Sequence, residues 1–284
     1  MAVLWDNIDV LIGSTGLMCD SVSIESENNL KPIYSIGNKG TANLSPSGPI
    51  KHTINISYVP IIDQDPNFHV ASGIKNLSDD SSYDPVVLEV GTLTGFGYLR
   101  SLSYSARPND VLRANATYES FVNLSGTFSE QTYSGDYKNK DNVAHGWTTF
   151  FSNQGNYYDS PIYNLQYNFN SQWVPRYTLG KNEAVQITHL SSREQVDLER
   201  EDYRHIQFSG EDSFDSLVSN NSTGIDFLSL DIVSYPEYDD HTKPTTGSFT
   251  HLPINLSGFK IIQSNVNARL NDLIKNNISL SRFY

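Results

Sequence analysis

Hydrophobic and polar residues alternate over much of this 284-residue chain, with the period of two that is typical of β-strands. The clearest run is 52–58, where Ile54, Ile56 and Tyr58 alternate with Thr, Asn and Ser. Similar runs predict further strands at 22–36, 86–90, 98–105, 111–124, 165–169, 196–198, 227–233, 259–266 and 273–280. The pattern therefore predicts a mainly β protein, with one wet face and one apolar face on strands such as 52–58.

Two short stretches depart from this alternation and predict helices. Asp65 followed by Pro66 is typical of an N-cap and a first helical residue, and it predicts a helix through about Ser72. Phe214, Leu217 and Val218 are spaced i, i+3, i+4 and predict a second helix. About six strands and one small helix in each half indicate a compact β-sandwich or half-closed barrel.

The chain also repeats itself. Residues 31–37 reappear at 174–180 with the shared pattern Pro-x-Tyr-[Ser/Thr]-[Ile/Leu]-Gly, an offset of 143, and we expect Gly37 and Gly180 to occupy equivalent turns at positive φ. Residues 106–115 reappear at 268–277, an offset of 162, with five identities where chance predicts roughly one. We therefore expect two tandem copies of one domain, residues 1–126 and 151–284, joined by a connector or projecting loop at 127–150.

Charge and composition exclude several classes of protein. There are 32 acidic and 19 basic residues, so the net charge of −13 disfavours attraction to nucleic-acid phosphates or to an anionic membrane. A single cysteine, Cys19, excludes an intrachain disulfide. The start at Met1-Ala2-Val3 lacks the pattern of a signal peptide or lipid anchor, and no apolar run approaches the ~20 residues of a membrane span. We expect a soluble protein made in the cytoplasm.

Two acidic clusters and one glycine-rich stretch are candidates for ligand sites. Residues 63–67 have the D-x-D-x-N start of a calcium loop but lack its later Gly and Glu, which favours helix capping by Asp65. Residues 239–241, Asp-Asp-His, are flanked by prolines and favour a solvated loop over a metal site. The glycine-rich residues 91–97 lack the Lys-Ser/Thr of a phosphate loop, which favours a hairpin turn.

Catalytic and sugar-binding alternatives rest on isolated features. Cys19 has no histidine near it in sequence and is expected to be a small buried hydrophobe. Glu25 with Glu27, and Glu199 with Glu201, share strand faces, which favours solvated acidic faces over hydrolytic pairs. Five aromatic residues suit either a subunit interface, which we favour, or a sugar-stacking platform: Tyr157, Tyr158, Tyr163, Tyr167 and Trp173. We assign no catalytic, cofactor or metal residue and expect no enzyme.

The order of these features resembles the tail-tube domain of long-tailed bacteriophages, shared by the tubes of contractile injection systems. The resemblance rests on the Pro-x-Tyr-[Ser/Thr]-[Ile/Leu]-Gly turn, the strand 54–58 after a glycine-proline loop, the short helix, and a final strand pair around Pro108-Asn109-Asp110. It covers nearly the whole chain, although the strand 196–202 of the second half is far more charged than its counterpart. The two copies are therefore not expected to be interchangeable.

The resemblance implies a virion structural protein: a tail tube subunit, or a tube-like ring at the neck or baseplate. Tube proteins of this family form rings of six domains around a channel for DNA, so a duplicated chain is expected to form a trimer, with a hexamer second. An acidic lumen and stacking with other tail proteins are also expected. A carbohydrate- or receptor-binding β module is the alternative, followed by an unrecognised hydrolase.

Overall fold

The computed structural model describes residues 9–27, 30–34, 36–37, 41–46, 49–60, 65–77, 83–107, 110–127, 148–153, 156–159, 162–201, 229–233, 250–255, 259–267 and 275–284. Its strands are β1 (Val10–Ile12), β2 (Thr15–Glu27), β3 (Leu30–Tyr34), β4 (Thr41–Pro46), β5 (Lys51–Val59), β6 (Val86–Val90), β7 (Leu93–Ala106), β8 (Arg113–Ser120), β9 (Thr148–Asn153), β10 (Asn156–Asp159), β11 (Ile162–Arg176), β12 (Gln186–Glu201), β13 (Ser229–Val233), β14 (Thr250–Asn255), β15 (Lys260–Asn267) and β16 (Lys275–Phe283). One helix, α1 (Pro66–Lys75), lies between β5 and β6. The prediction of a mainly β protein is confirmed.

Six strands of the first half close into an antiparallel barrel. The order of neighbours is β6-β1-β2-β5-β8, and β7 pairs with both β6 and β8. The two partners lie on opposite edges of β7, because Thr94 pairs with Glu89 of β6 and bridges to Ser125, which follows β8. The first half thus closes into a barrel through residues 15–17 of β2 and 93–97 of β7, while residues 18–27 of β2 and 101–106 of β7 extend past the closing strands β1 and β6.

Strand β7 also begins the sheet of the second half. Its residues 93–97 pair with β6, while residues 101–106 pair with β11. From there the sheet continues through β12 and β16 to β15. One antiparallel sheet therefore runs in the order β2-β5-β8-β7-β11-β12-β16-β15, and we refer to these eight strands as the long sheet.

Two smaller groups of strands lie outside the long sheet. Strands β10, β9, β13 and β14 form a four-stranded sheet, and β3 pairs with β4 in a hairpin. Because β9 begins at Thr148, the last three residues of the predicted connector 127–150 belong to a strand. Residues 128–147 lie outside the described residues, as does the predicted helix around 214–218.

The hydrophobic core lies against one face of the long sheet. Alternate residues of its strands are buried there, among them Ile54, Ile56, Tyr58, Ala116, Tyr118, Leu102, Tyr104, Leu165, Tyr167, Phe169, Val196, Leu198, Ile278 and Leu280. Burying each large apolar side chain contributes about 1.5–3 kcal/mol relative to exposure. The alternation predicted for residues 52–58 is confirmed in the burial of Ile54, Ile56 and Tyr58, whose neighbours Asn55 and Ser57 are only half-buried.

Helix α1 covers part of this core. The Asp65 side chain accepts a hydrogen bond from the backbone N–H of Asn67 at 2.9 Å, and Pro66 occupies the first turn, as predicted. The helix runs to Lys75, three residues beyond the predicted end, because Ala71 and Ile74 continue its buried stripe. The first predicted helix is therefore confirmed in position and slightly longer than expected.

Candidate assembly surface

The face of the long sheet opposite the core is polar. Two rows of residues that pair from strand to strand cross its middle: Ser23, Asn55, Thr117, Ser101, Asn170, Arg193 and the exposed Phe283, and then Ser57, Asn115, Ser103, Asn168, Gln195 and the buried Ser281. Within the first row, Thr117 donates to Asn55 at 3.0 Å and Asn55 donates to Ser23 at 3.3 Å. We call this surface the polar face; its hydroxyl and amide groups suit contact with water.

Several charges on the polar face are paired with one another. Lys51 lies 3.1 Å from Glu119, Arg113 lies 2.7 Å from Asp20, and Lys275 lies 3.1 Å from Glu199. Exposed pairs of this kind contribute only about 0–1 kcal/mol each to stability. They nevertheless reduce the uncompensated charge of the surface, so the chain's acidic excess is not concentrated on the described part of this face.

The two halves of the long sheet meet where β7 pairs with β11, a junction that we call the seam. On the core side, Tyr104 lies opposite Tyr167 with ring centroids 5.8 Å apart. Phe68 of α1 lies 6.3 Å from each of these rings. Stacked or tilted aromatic contacts of this kind add about 0.5–1.5 kcal/mol beyond area burial. Helix α1 therefore belongs to the first half in sequence but covers the seam in space.

A buried carboxylate reinforces the seam on its second-half side. Glu194 of β12 is 1% exposed and accepts hydrogen bonds from the hydroxyls of Tyr167 and Tyr284 at 2.5 Å and from Arg282 at 2.7 Å. It also forms an ion pair with Lys75 at the end of α1. Burial alone would raise the pKa of Glu194, but these partners outweigh burial and hold it below its ordinary value.

The ammonium partner in this cluster shows the opposing effect of burial. Desolvation lowers the pKa of Lys75, although the neighbouring carboxylate of Glu194 favours the charged form. One acid thus interacts with two cations and two hydroxyls. Glu194 is therefore the residue on which the cluster depends, and it links α1 to β12 and to the end of the chain.

A second buried carboxylate lies beneath the start of α1. The hydroxyls of Tyr58 and Tyr104 donate to Asp65, the latter at 2.5 Å, and Tyr118 donates to the side-chain oxygen of Asn67 at 2.5 Å. Burial raises the pKa of Asp65, and the tyrosine hydroxyls partly oppose that rise. The carboxylate is thus engaged as a helix cap, the interpretation favoured over a calcium loop. Residues 63 and 64 of that motif lie outside the described residues.

Strand pairing in the second half follows that of the first half residue by residue. Val22 lies opposite Ile56 and Ile24 opposite Ile54; in the second half, Leu165 lies opposite Leu198 and Tyr167 opposite Val196. Positions in β2 and β11 differ by 143, the offset of the repeated Pro-x-Tyr turn. Each ladder also has a β-bulge, between Cys19 and Ser21 in β2 and between Ile162 and Asn164 in β11, again 143 positions apart.

The register of β7 with β8 in the first half corresponds in the same way to the register of β15 with β16 in the second half. Leu99 of β7 lies opposite Tyr118, and Ile261 of β15 lies opposite Leu280, with both positions shifted by 162. A bulge follows Leu99 in β7 and Ile261 in β15. Because bulges interrupt the ladder locally, two matched bulges are a stringent sign that the registers correspond.

Equivalent turns also project from both halves. Gly37 has φ 99° and Gly180 has φ 83°, which confirms the prediction of positive φ at both positions. The residues before them, Ile36 and Leu179, are fully exposed, at 108% and 105%. The two halves thus present an apolar side chain at the same place in the sequence repeat.

Two of the five predicted aromatic residues lie in the core and not at a surface. Tyr167 and Trp173 are 0% and 6% exposed, and the Trp173 indole donates to the Leu99 carbonyl at 2.8 Å. The expectation of an exposed platform or subunit interface is therefore wrong for these two residues, because they alternate in phase with the core side of β11. Tyr163 lies in contact with Lys275, and residues 157 and 158 lie in β10, a strand of the four-stranded sheet.

The other candidate residues named from the sequence lie on different strands and turns and do not form one site. Cys19 is half-buried, and burial together with Asp20 and Asp9 raises the pKa of its thiol, as expected for a non-nucleophilic residue. Glu25 and Glu27 are exposed on β2, whereas Glu199 pairs with Lys275. Gly91 and Thr92 form a two-residue hairpin turn between β6 and β7, which confirms that prediction. Residues 239–241 lie outside the described residues.

The Glu194 cluster was missed at the level of sequence. The sequence pattern could have placed Glu194 on the core face, since it is in phase with Val196 and Leu198 along the strand. Its partners come from α1, β11 and the C-terminal residues 282 and 284, which no local pattern brings together. Among the described residues, no group of three or more His, Cys, Asp or Glu side chains is arranged to hold a metal ion.

Comparison with known proteins adds no assignment. Of the helical segments that the structure describes, none has the length and apolarity needed to cross a membrane. No protein-family model and no curated protein sequence matches the chain.

Proposed function

We propose that this protein is a structural subunit that associates edge to edge into a ring, with the polar face as the inner wall of a channel. The observation that carries the proposal is the long sheet, which has one buried face, one polar face and an outer strand at each end. Exposed sheet edges are templates for pairing with another chain, and a closed ring satisfies them. The resemblance to tail-tube domains points to a virion tail, as the main tube or as a ring at the neck or baseplate.

The matched registers support a tandem duplication within this assembly. Strands β2-β5-β8-β7 and β11-β12-β16-β15 have the same order of neighbours, and the seam joins the last strand of one set to the first strand of the next. Such a contact is head-to-tail, the type that closes into rings when the rotation permits. With two units in each chain, three chains supply the six units of a tail-tube ring, and a hexamer is the second possibility.

The chemistry of the polar face supports passage of DNA without adhesion. A surface with many uncompensated Lys or Arg residues would hold phosphates through counterion release. Here hydroxyl and amide side chains predominate and the cations Lys51, Arg113 and Lys275 have acidic partners. The acidic lumen expected from the net charge stays a prediction: three acid–base pairs lie on the proposed wall, and Glu25 and Glu27 are exposed on it. The exposed Ile36 and Leu179 are candidates for stacking contacts with other tail proteins.

The alternative of a carbohydrate-binding module has less support. Stacking on sugars requires exposed aromatic rings, and Tyr167 and Trp173 are buried in the core. No specific observation on the described residues favours a hydrolase.

The test is the state of assembly of the purified full-length protein. Mass photometry over a range of concentrations and negative-stain electron microscopy should show closed rings with a central channel, with three chains per ring. Fluorescence anisotropy with a labelled DNA duplex at low salt should show no binding. A protein that remains monomeric at every concentration, or one that binds DNA tightly, contradicts the proposal.

A further inference from the structure

The two outer edges of the long sheet have no strand partner among the described residues. At one end, β1 pairs with residues 15–17 of β2, so residues 18–27 of β2 pair only with β5. At the other end, β15 pairs only with β16 in the part of the chain that the structure describes. Within that part, both edges have main-chain donors and acceptors available for another strand.

The seam shows how such edges pair in this fold. The outer edge of β15 corresponds to the edge of β7 that pairs with β11, because the registers of β15 and β7 differ by a constant 162. The outer edge of β2 likewise corresponds to the edge of β11 in the seam, with a constant difference of 143. In the seam, Leu102 pairs with Phe169, Ser103 with Asn168 and Tyr104 with Tyr167.

Applying the two offsets to the seam gives one register for the open edges. We propose that β15 of one chain pairs antiparallel with β2 of a second copy, so that Ser264 lies opposite Ser26, Asn265 opposite Glu25 and Val266 opposite Ile24. This inference rests on the proposed ring and specifies the contact that closes it. Every chain would then contain one complete seam and contribute half of a seam at each end.

The residues at these edges are compatible with this register. Ile24 and Val22 are half-buried and pack beside the core, as the equivalent Tyr167 and Leu165 do within the seam. Glu25 and Glu27 are exposed on the free edge of β2, and the register places them opposite Asn265 and Gln263. Amides donate hydrogen bonds to carboxylates, and opposite-strand pairs of complementary type contribute about 0.2–1 kcal/mol each.

Paired cysteines provide a direct test of this register. In a Cys19→Ala background, the double variant Glu25→Cys/Asn265→Cys should form disulfides between chains on mild oxidation. A matched control is Ser103→Cys/Asn168→Cys, which occupies the same geometry in the visible seam and should form a disulfide within one chain. A slipped control, Glu25→Cys/Asn267→Cys, keeps the same face but separates the Cα atoms by roughly 8 Å, beyond disulfide reach.

Denaturing gels then distinguish the outcomes. The expected result is a covalent ladder for Glu25→Cys/Asn265→Cys that ends at the number of chains in the ring, with at least tenfold less product for the slipped control. If rings form and the seam control oxidises but the first variant does not, the register is wrong and the ring proposal stands. Efficient cross-linking by Glu25→Cys alone indicates a two-fold contact and also overturns the register. A chain that never associates overturns both proposals.

Discussion

Replacement of Glu194 by Gln tests whether the buried cluster beside the seam depends on this one carboxylate. The substitution preserves size and one acceptor oxygen but removes the charge that faces Lys75 and Arg282. Glu194 is 1% exposed, so water cannot replace the lost interaction. Removing one partner of a buried ion pair costs about 3–5 kcal/mol, and the retained amide places this case near 3 kcal/mol.

The matched control for this substitution is Glu199→Gln on the same strand. The side chain of Glu199 is 30% exposed and pairs with Lys275 at 3.1 Å. Exposed pairs contribute about 0–1 kcal/mol, so this variant should unfold close to the wild type. The contrast between two carboxylates on β12 separates the effect of burial from the loss of charge itself.

Urea unfolding at pH 7, followed by tryptophan fluorescence, measures the difference. With a slope of roughly 3 kcal/mol per molar urea for a chain of this size, about 3 kcal/mol moves the midpoint by about 1 M. Adding Lys75→Met to Glu194→Gln should recover part of the loss, because it removes one uncompensated cation. The reasoning is refuted if Glu194→Gln unfolds at the same urea concentration as Glu199→Gln.

The pH dependence of the Glu194 effect has a defined sign. The pKa of Glu194 is lower in the folded protein than its ordinary value of 4.5, so the folded state binds fewer protons at this site than the unfolded state. Its contribution to stability is complete above about pH 4.5 and is lost as the pH falls through the folded pKa. The difference between the wild type and Glu194→Gln should therefore shrink below pH 4.5 in the same unfolding assay.

Three further substitutions or measurements test other features of the fold. Gly37→Val and Gly180→Val should each lower the free energy of unfolding by about 1 kcal/mol or more, although an added Cβ would meet no atom within 4 Å, because both residues have positive φ; unchanged thermal midpoints contradict this. Asp65→Ala should cost about 2–4 kcal/mol in urea unfolding, and Asp65→Asn distinctly less because Asn also caps helices; equal losses contradict the capping role. Cys19 should react with a thiol reagent at pH 8 far more slowly in the folded protein than in urea, since burial raises its pKa; equal rates contradict this.

Local patterns predicted some strands and missed others, since β1, β4, β9, β10 and β14 have no predicted counterpart and only residues 196–198 of β12 were predicted. Alternation at 52–58 identified both the strand and its buried face, because a period of two assigns every side chain to one side of a sheet. Strand β7 instead begins at Leu93, five residues before the predicted start, because the two-residue turn at Gly91 and Thr92 continues directly into it. Residue types alone do not show where such a hairpin begins to pair.

The long-range strand pairings could not be predicted from the sequence. Closure of the barrel depends on Thr94 having partners on both edges, and the seam depends on β7 changing partner from β6 to β11. Neither barrel closure nor the change of partner along β7 produces a local pattern in the sequence. The repeat was nevertheless informative, because its offsets of 143 and 162 reappear in the strand registers.

The double use of β7 has a consequence for synthesis on the ribosome. The edge at residues 101–106 must wait for residues 165–170 of β11 before it is covered. Roughly sixty residues separate the two segments, which is about 3–12 seconds at ordinary translation rates. During that interval, a nascent chain on a crowded polysome can accept β11 from its neighbour, in the domain-swapped way that head-to-tail strand pairing allows. The same type of head-to-tail strand pairing that would build the ring is thus also a route to misassembly of the seam during synthesis.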